Sequence, residues 1–210
     1  SMDQAVENEM AFLQAQIKPH FLYNAISGIV SFCYTDGEKA AYLLSVLSRY
    51  LRMVFERDQR TLQVPLRQEL ELIRAYVEIE KARFGDRLVY RLRTDPGLEE
   101  YLVPSLTIQP FVENAIRHGL FEKDGIGTVT LTVSDGDGYI RFDIVDDGVG
   151  MPDDVLYRLR AGERPDRAGI GMTNVRKRLS TIPGASVAID SALERGTKAT
   201  VYLPKLGRPG

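Results

Sequence analysis

One stretch, residues 109–119, constrains this chain more than any other, because it predicts a helix with a core-facing side and a chemically varied side. The apolar positions recur at helical spacing at Ile108, Phe111, Val112, Ala115 and Ile116. The opposite side carries Glu113, Asn114, Arg117 and His118. Oxygen donors beside cations suit a phosphate chain and its metal ion. A solvated helix face is the simpler interpretation of this stretch alone, and the glycine motifs further along the chain shift the balance away from it.

The N-terminal part of the sequence predicts a helical hairpin. Residues 3–33 are predicted as one helix that Pro19 interrupts, and residues 38–57 as a second helix after a turn at 35–37. Each helix has one heptad-like stripe, which comprises Val6, Met10, Leu13, Ile17, Asn24 and Gly28 on the first and Ala40, Leu44, Leu47, Leu51 and Val54 on the second. Because two helices cannot bury these stripes well by themselves, we predict a homodimer that forms a four-helix bundle.

The rest of the chain mixes helices and strands. Residues 66–84 predict a third helix that ends at Gly85, and residues 171–181 predict a later one. Strands are predicted at 61–64, 88–93, 128–133, 139–145, 186–190 and 197–203. Since strands and helices do not alternate strictly, we predict an α+β fold. The domain boundary is placed near residue 60, with a hairpin domain at 1–60 and a second domain at 61–210.

Composition narrows the classes of function. The 210 residues carry a net charge of -2 with a pI near 5.8, which gives no reason to expect a nucleic-acid partner. The single cysteine, Cys33, sits in an apolar run and is predicted to be a buried, inert thiol. Two histidines and one cysteine do not make a zinc site. No apolar run is long enough for a membrane span. Ser1-Met2 resembles a scar of tag cleavage, so we expect a longer parent protein.

Two glycine motifs suggest a nucleotide pocket. Asp146-Asp-Gly148-Val-Gly150 follows a predicted strand, so its first carboxylate can accept a hydrogen bond from the exocyclic amine of adenine. Gly169-Ile170-Gly171-Met172 opens a predicted helix and can expose backbone N–H groups to phosphates. An ordinary Asp-Gly turn and a glycine-rich helix entry are the simpler alternatives. The polar, arginine-rich residues 152–168 between the motifs lack a convincing apolar stripe and are predicted to form a mobile lid.

His20 is the candidate nucleophile of the hairpin. Helical geometry places it at the flank of the stripe, and Asn24, one turn later, can hydrogen-bond its ring and fix a tautomer. A neutral imidazole held in this way can attack phosphorus. A structural histidine at the edge of a helical seam is the alternative.

These pieces occur in a particular order along the chain. Gln-x-Lys-Pro-His20-Phe-Leu-Tyr-Asn24 is followed by Glu-Asn114-x-x-x-His118, then by Asp146-x-Gly-x-Gly150 and Gly169-x-Gly171. Intermediate signals are Val64-Pro-Leu-x-x-Glu-Leu70, Arg83-Phe-Gly-Asp-Arg87 and Asn174-Val-x-x-Arg-Leu179. The set resembles the LytS-type sensor histidine kinases over residues 13–203.

The resemblance implies a histidine-phosphotransfer hairpin followed by an ATP-binding domain of the gyrase/Hsp90/kinase/MutL type, a mixed sheet with helices on one face. It implies that His20 accepts the γ-phosphoryl group of ATP and passes it to the receiver domain of a response regulator. It assigns Mg²⁺ to Asn114 and adenine to Asp146. The wider cofactor-binding set that it implies comprises Arg117, His118, Lys123, Gly148, Gly150, Gly169, Ile170, Gly171, Met172 and Thr197. The parent protein is expected in the bacterial inner membrane, where a sensor region outside this fragment would anchor it. The fragment itself is expected in the cytoplasm.

Two departures from related families limit the assignment. Gyrase-like ATPases have a glutamate where this chain has Pro110, which disfavours ATP hydrolysis as the main activity. Many histidine kinases have an acid directly after the phosphorylated histidine, where this chain has Phe21. The activating group then comes from elsewhere, with Asn24 and Glu113 as the catalytic candidates, and Glu113 as either a base or a ligand to a magnesium-bound water. A gyrase-like ATPase or clamp and a nucleotide-sensing scaffold are the alternative functions.

Overall fold

The computed structural model describes residues 19–55, 63–163 and 170–207, with residues 170–174 described by their backbone alone. The predicted stripe residues Val6, Met10, Leu13 and Ile17 lie outside the described residues. Gly169 and the second half of the predicted lid lie outside them as well.

The hairpin consists of helices α1, Pro19–Cys33, and α2, Gly37–Phe55. Asp36 precedes α2, and its carboxylate accepts a hydrogen bond from the backbone N–H of Lys39 at 3.0 Å. The buried side of α1 consists of Phe21, Ala25 and Ile29, so the predicted stripe through Asn24 and Gly28 is wrong for this helix. On α2 the structure buries Leu47 as predicted, but it leaves Leu44 half exposed.

The hairpin buries a different side because it packs against the next helix of the same chain. The ring of Phe21 lies 5.0 Å from that of Tyr76 and 5.4 Å from that of Tyr50, measured between centroids. Gln109 Nε2 donates a hydrogen bond to the Tyr50 hydroxyl at 3.4 Å. One hydrophobic core therefore runs across the predicted domain boundary. Sequence periodicity reports that a side is apolar, but it does not report which segment covers it.

The second part of the chain contains seven strands and four further helices within the described residues. In order these are β1, Gln63–Pro65; α3, Leu66–Phe84; β2, Leu88–Thr94; β3, Leu102–Pro104; α4, Gln109–Asn114; β4, Gly127–Asp135; β5, Tyr139–Asp146; α5, Asp153–Arg160; α6, Ile170–Ser180; β6, Ser186–Ala192; and β7, Gly196–Pro204. Helix α4 continues as a π-helical segment, Ala115–Leu120. The third predicted helix is confirmed at both ends.

The main sheet has five strands in the order β2-β4-β5-β7-β6. Strands β2 and β4 are parallel, with Leu88 opposite Gly127, and the other neighbours are antiparallel. Alternate residues of β4 are buried, as expected for a sheet with one face against helices. The predicted α+β fold with a mixed sheet is confirmed. Strands β1 and β3 form a separate two-stranded pair, and β3 was not predicted from the sequence.

Two local predictions need correction. Residues 153–160, which were predicted to lack an apolar stripe, form helix α5, because Leu156 and Leu159 suffice to anchor two turns and Asp153 and Asp154 favour its N-terminus. That residues 152–168 act as a mobile lid stays a prediction. Cys33 is exposed, because it lies at the end of α1 beyond the contact with α3. Within the described ranges, no helix combines the length and the hydropathy that a membrane span requires.

Candidate functional site

A small pocket lies between the end of β5, strand β7 and helix α4. Asp146, Asn114 and Thr197 supply its polar atoms, and apolar side chains such as Phe111 and Met151 form its walls. Its volume is about 20 Å³, which corresponds to room for about one water molecule. Side chains of the wall must therefore move to admit a purine base. Three of the predicted site residues, far apart in sequence, meet here.

Asp146 is the buried acceptor of this pocket and is only 4% exposed. Burial raises the pKa of Asp146 to about 6, and the charge of Asp147 adds to the rise. Backbone hydrogen bonds from Gly148 and Thr197 and the charge of Lys123 act in the opposite direction. At neutral pH the carboxyl group is mostly ionised and has lone pairs beyond those that accept the backbone N–H groups. It can therefore accept a hydrogen bond from an exocyclic amine.

Glycines let the backbone close around Asp146. A Cβ atom on Gly119 would lie 2.6 Å from Asp146 Oδ1, and one on Gly148 would overlap the Gly119 carbonyl. The Gly119 carbonyl accepts a hydrogen bond from the N–H of Val149 at 3.0 Å, which ties the end of the π-helical segment to the loop after β5. Gly148 was predicted as a site residue. Gly119 was not, although it is the last residue of the stretch 109–119.

Thr197 reaches the pocket from β7, where it lies opposite Asp146 in the strand register. Its hydroxyl is 2.9 Å from Ser191 Oγ, which also accepts a hydrogen bond from the N–H of Met151 at 2.9 Å. Ser191 thus joins β6, β7 and the loop after β5. Sequence reasoning missed Ser191, because a serine within a strand carries no local signal for such a contact.

Lys123 supports the site from outside the pocket. Its Nζ donates to the Asp147 carbonyl at 2.9 Å and lies 3.2 Å from Asp147 Oδ1. Arg87 donates a hydrogen bond to the Lys123 carbonyl at 3.0 Å, which explains the last residue of the Arg83-Phe-Gly-Asp-Arg87 signal. Lys123 therefore contacts the loop that follows Asp146 and does not line the pocket.

Glu113 points away from the pocket toward α3. It is 6% exposed and pairs with Arg117 at 3.3 Å. Glu80 of α3 lies in the same buried region, where burial and the charge of Glu113 raise the pKa of Glu80 while Arg83 and Arg117 lower it. Glu113, Arg117 and the exposed His118 do not line the pocket, whereas Asn114 does. The structure thus separates side chains that the helical pattern had placed on one face.

His20 is exposed on α1, and its Nδ1 atom lies 2.9 Å from the amide nitrogen of Asn24. The predicted contact between these two residues is therefore confirmed. Phe21, the next residue, is buried against Tyr76, which holds the turn that presents the imidazole. His20 does not line the pocket.

The second glycine motif leads into α6. The helix begins at Ile170, so Ile170, Gly171 and Met172 form its first turn, as predicted. A larger cavity of about 420 Å³ lies between α5, α6 and β6. We assign the candidate site to the smaller pocket, because the larger cavity contains none of Asp146, Asn114 and Thr197.

Comparison with known families agrees with this fold. Residues 8–88 match the family described as histidine kinase, and residues 104–207 match the family of histidine kinase-, DNA gyrase B-, and HSP90-like ATPases. The chain belongs to the histidine kinase family. The predictions of LytS-type recognition and of an ATP-dependent histidine kinase are confirmed at this level.

Two relatives of this histidine kinase chain are named as sensors. It is 38% identical over 200 residues to the sensor protein LytS of Bacillus subtilis, and the aligned region covers 93% of this chain and 34% of LytS. It is 38% identical over 208 residues to the sensor histidine kinase YpdA of Escherichia coli, and the aligned region covers 99% of this chain and 36% of YpdA. The chain thus spans about a third of the length of these relatives.

The fold of this histidine kinase chain is also similar to that of a solved structure. That structure is the histidine kinase domain of the blue-light activated histidine kinase from Erythrobacter litoralis EL346. The TM-score is 0.54 at 18% identity, over 97% of this chain and 94% of that one.

Proposed function

We propose that this chain transfers the γ-phosphoryl group of ATP to its own His20 and that the phosphate then passes to an aspartate of a response-regulator receiver domain. The observation that carries the proposal is the exposed His20 ring held by Asn24 on a helix that packs against the nucleotide-binding part. In the first step a bond forms between an imidazole nitrogen and the γ-phosphorus, and the bond from phosphorus to the leaving ADP oxygen breaks. Transfer to one ring nitrogen leaves a proton on the other nitrogen. This proton then passes to water, because His20 is exposed.

The orientation of the Asn24 amide decides which ring nitrogen can attack. In the structure Asn24 Nδ2 donates to His20 Nδ1, which places the ring proton on Nε2. A half-turn of the amide exchanges its oxygen and nitrogen, which are distinguished only by their hydrogen bonds. Oδ1 then accepts the N–H of Nδ1, and Nε2 has a free lone pair. The proposal requires this second arrangement, with Nε2 as the nucleophile.

Asn24 therefore offers a test of its own. We expect Asn24→Asp to retain autophosphorylation, because a carboxylate accepts the Nδ1 hydrogen bond without a choice of orientation. Asn24→Leu should reduce the rate by about tenfold or more, since the preferred tautomer is lost. The measurement is the initial rate of label transfer from γ-labelled ATP at saturating nucleotide. Equal rates in Asn24→Leu and wild type would contradict a role for this hydrogen bond.

The polar groups of the pocket suit the nucleotide that the proposal requires. Asp146 would accept a hydrogen bond from the adenine amine once the apolar wall side chains have moved, and Gly119 has no side chain that would displace the carboxylate. Asn114 would offer one amide oxygen to Mg²⁺, which commonly takes few protein ligands and keeps phosphate and water oxygens. In the described part of the chain, no group of three or more acidic, cysteine or histidine side chains offers an alternative metal site. When bound, Mg²⁺ neutralises charge on the phosphates.

The remaining predicted contacts stay proposals. Gly169 and Gly171 would present backbone N–H groups to the phosphates, and Arg117 and His118 would lie beside them. The role of Glu113 as a base or as a ligand to a magnesium-bound water stays a prediction, and its pairing with Arg117 offers no direct support. Pro110, which is buried, stands where a water-activating glutamate is expected in gyrase-like enzymes, so we propose phosphotransfer in preference to hydrolysis.

The proposal is tested by one incubation with γ-labelled ATP and magnesium. A phosphohistidine gives label on the protein that is lost in acid and kept in base. Release of the label as inorganic phosphate, with none on the protein, would favour the ATPase alternative. Nucleotide binding with neither outcome would favour the scaffold.

We also propose that residues 1–60 form a dimerisation domain. Tyr23, Ile26 and Val30 are at least half exposed and lie about 140–200° around α1 from Phe21, taking about 100° per residue. The helix thus has a second apolar side opposite the one that packs on α3. Leu44 and Phe55 of α2 are each 50% exposed. A second copy of the hairpin, as in a four-helix bundle, would cover this surface.

Charge on that second side is expected to separate the protomers. The double variant Ile26→Asp, Val30→Asp should be monomeric and still bind ATP, because both side chains lie away from the core of the chain. Ser31→Asp adds one such charge to the same helix outside this side and should remain dimeric. Analytical ultracentrifugation at micromolar concentration distinguishes the two states. A dimeric double variant would place the interface elsewhere.

A sensor role belongs to the same proposal. Relatives bear the names sensor protein and sensor histidine kinase, which supports a sensor role for the parent protein. Its place in the bacterial inner membrane, with the kinase on the cytoplasmic side, stays a prediction.

A further inference from the structure

The loop that leads into α4 is buried along its whole length. Ser105, Leu106, Thr107 and Ile108 are each at most 1% exposed. Leu106 has a φ of 56°, in the left-handed region that non-glycine residues seldom adopt. A buried loop needs partners for its backbone groups, and a strained residue persists only where its surroundings hold it. The loop therefore depends on the side chains around it.

Glu69 of α3 holds the loop from one side. Its carboxylate is fully buried and accepts hydrogen bonds from the N–H groups of Leu106 at 2.9 Å, Ile108 at 3.1 Å and Gln109 at 3.4 Å. These N–H groups precede or open α4 and have no partner within that helix. A carboxylate at this position satisfies them and suits the positive end of the helix. This contact accounts for the glutamate in the Val64-Pro-Leu-x-x-Glu-Leu70 signal.

Arg178 of α6 holds the loop from the other side. It is 8% exposed, and its guanidinium donates a hydrogen bond to the Ser105 carbonyl. Helix α6 begins at Ile170 within the second glycine motif, and Arg178 lies two turns further along it. The helix that opens at this motif thus contacts the loop that begins the helix carrying Asn114. This contact accounts for the arginine in the Asn174-Val-x-x-Arg-Leu179 signal.

We propose that Glu69 and Arg178 are positioning residues that set Asn114 and the first turn of α6 in register for the triphosphate and its magnesium ion. This inference rests on the proposed function. The polar groups that would contact adenine, Asp146 and Thr197, stand on β5 and β7, whereas the loop leads into α4, which carries Asn114 and the apolar wall residue Phe111. Loss of either side chain should therefore weaken contacts to the phosphates more than contacts to the base.

The test compares two ligands that share the adenine contacts. Adenosine, titrated by NMR, reports the adenine end alone, and Mg-ATP, titrated calorimetrically, reports both ends. Arg178→Met should weaken Mg-ATP by about tenfold or more, the equivalent of one or two lost hydrogen bonds, and leave adenosine affinity within about twofold of wild type. Arg178→Lys, which retains a donor, should recover part of the Mg-ATP affinity. Lys177→Met removes an exposed charge from the same helix and should match wild type for both ligands.

Glu69→Gln provides a second variant. One amide oxygen cannot replace two carboxylate oxygens that together accept three N–H groups, so this variant should show the same selective loss. If Arg178→Met does not fold by circular dichroism, Arg178→Lys and Glu69→Gln decide. An unchanged ratio of adenosine to Mg-ATP affinity in folded variants would overturn the proposal. If the wild type does not bind Mg-ATP more tightly than adenosine, the proposed function itself fails.

Discussion

Replacing His20 with glutamine is expected to abolish transfer of label from γ-labelled ATP to the protein, with ATP affinity within about twofold of wild type. The imidazole supplies the attacking nitrogen, and glutamine has no equivalent nucleophile. ATP affinity should persist, because His20 is exposed on α1 and does not line the pocket of Asp146 and Asn114. Scintillation counting of the protein after acid and base treatment gives the first quantity, and calorimetry gives the second.

His118 is the matched control for this prediction, since it is the only other histidine. We expect His118→Gln to bind nucleotide more weakly or to transfer more slowly, but to keep its label, because the residue lies one turn after Asn114 on the helix that would face the phosphates. Label that survives in His20→Gln would refute the central assignment and leave this chain closer to an ATPase.

Mixing two inactive variants would then distinguish the routes of transfer. His20→Gln retains the nucleotide site, and Asn114→Asp retains the acceptor. Label that returns on mixing means transfer between the subunits of a dimer, whereas no label indicates transfer within one subunit.

Replacing Asp146 with asparagine is expected to weaken ATP binding by about tenfold or more, with little effect on GTP. The carboxylate accepts backbone hydrogen bonds from Gly148 and Thr197 and would have lone pairs left for the adenine amine. An asparagine has one acceptor oxygen in place of two, and its NH₂ group would face the adenine amine as a second donor, so no hydrogen bond could form between them. Asp137→Asn, in the turn between β4 and β5, removes an exposed carboxylate and should leave ATP affinity unchanged. Equal ATP affinity in wild type and Asp146→Asn would contradict the adenine assignment.

The same substitution should also change stability with pH. The folded pKa of Asp146, about 6, lies above the unfolded value of about 3.9, so this carboxyl group favours the folded state below pH 4 and this contribution is lost as the pH rises through 6. At pH 8 the cost of burying the charge is at most about 3 kcal/mol. Asp146→Asn cannot ionise, so the difference in melting temperature between the variant and wild type should move in favour of the variant as the pH rises from 4 to 8, whatever the loss of a backbone hydrogen bond costs at all pH values. Thermal melts at pH 4, 6 and 8 measure the difference. A difference of equal size at all three pH values would argue against a buried, titrating Asp146.

Several elements and candidate residues followed from sequence alone because their signals are local. Helix α3 was predicted at both ends, since Pro65 precedes it and Gly85 ends it within a run of apolar residues at helical spacing. The loop after β5 was predicted from Asp146 and its glycines, and the hydrogen bond between Asn24 and His20 from a spacing of one helical turn. In each case the deciding groups lie within a few residues of one another.

The contacts that only the tertiary structure decided join segments far apart in the chain. Phe21 faces Tyr76 instead of the predicted seam, Gly119 makes room for Asp146, and Glu69 and Arg178 meet at one buried loop. Helix α5 likewise forms where the local pattern predicted a lid. Periodicity indicates that a side chain tends to be buried, and a glutamate in a helix indicates only that a carboxylate is available. The sequence does not indicate which surface covers the apolar side chain or which N–H groups bind the carboxylate. All segments of the chain compete for burial and hydrogen bonds, and only the folded structure decides between them.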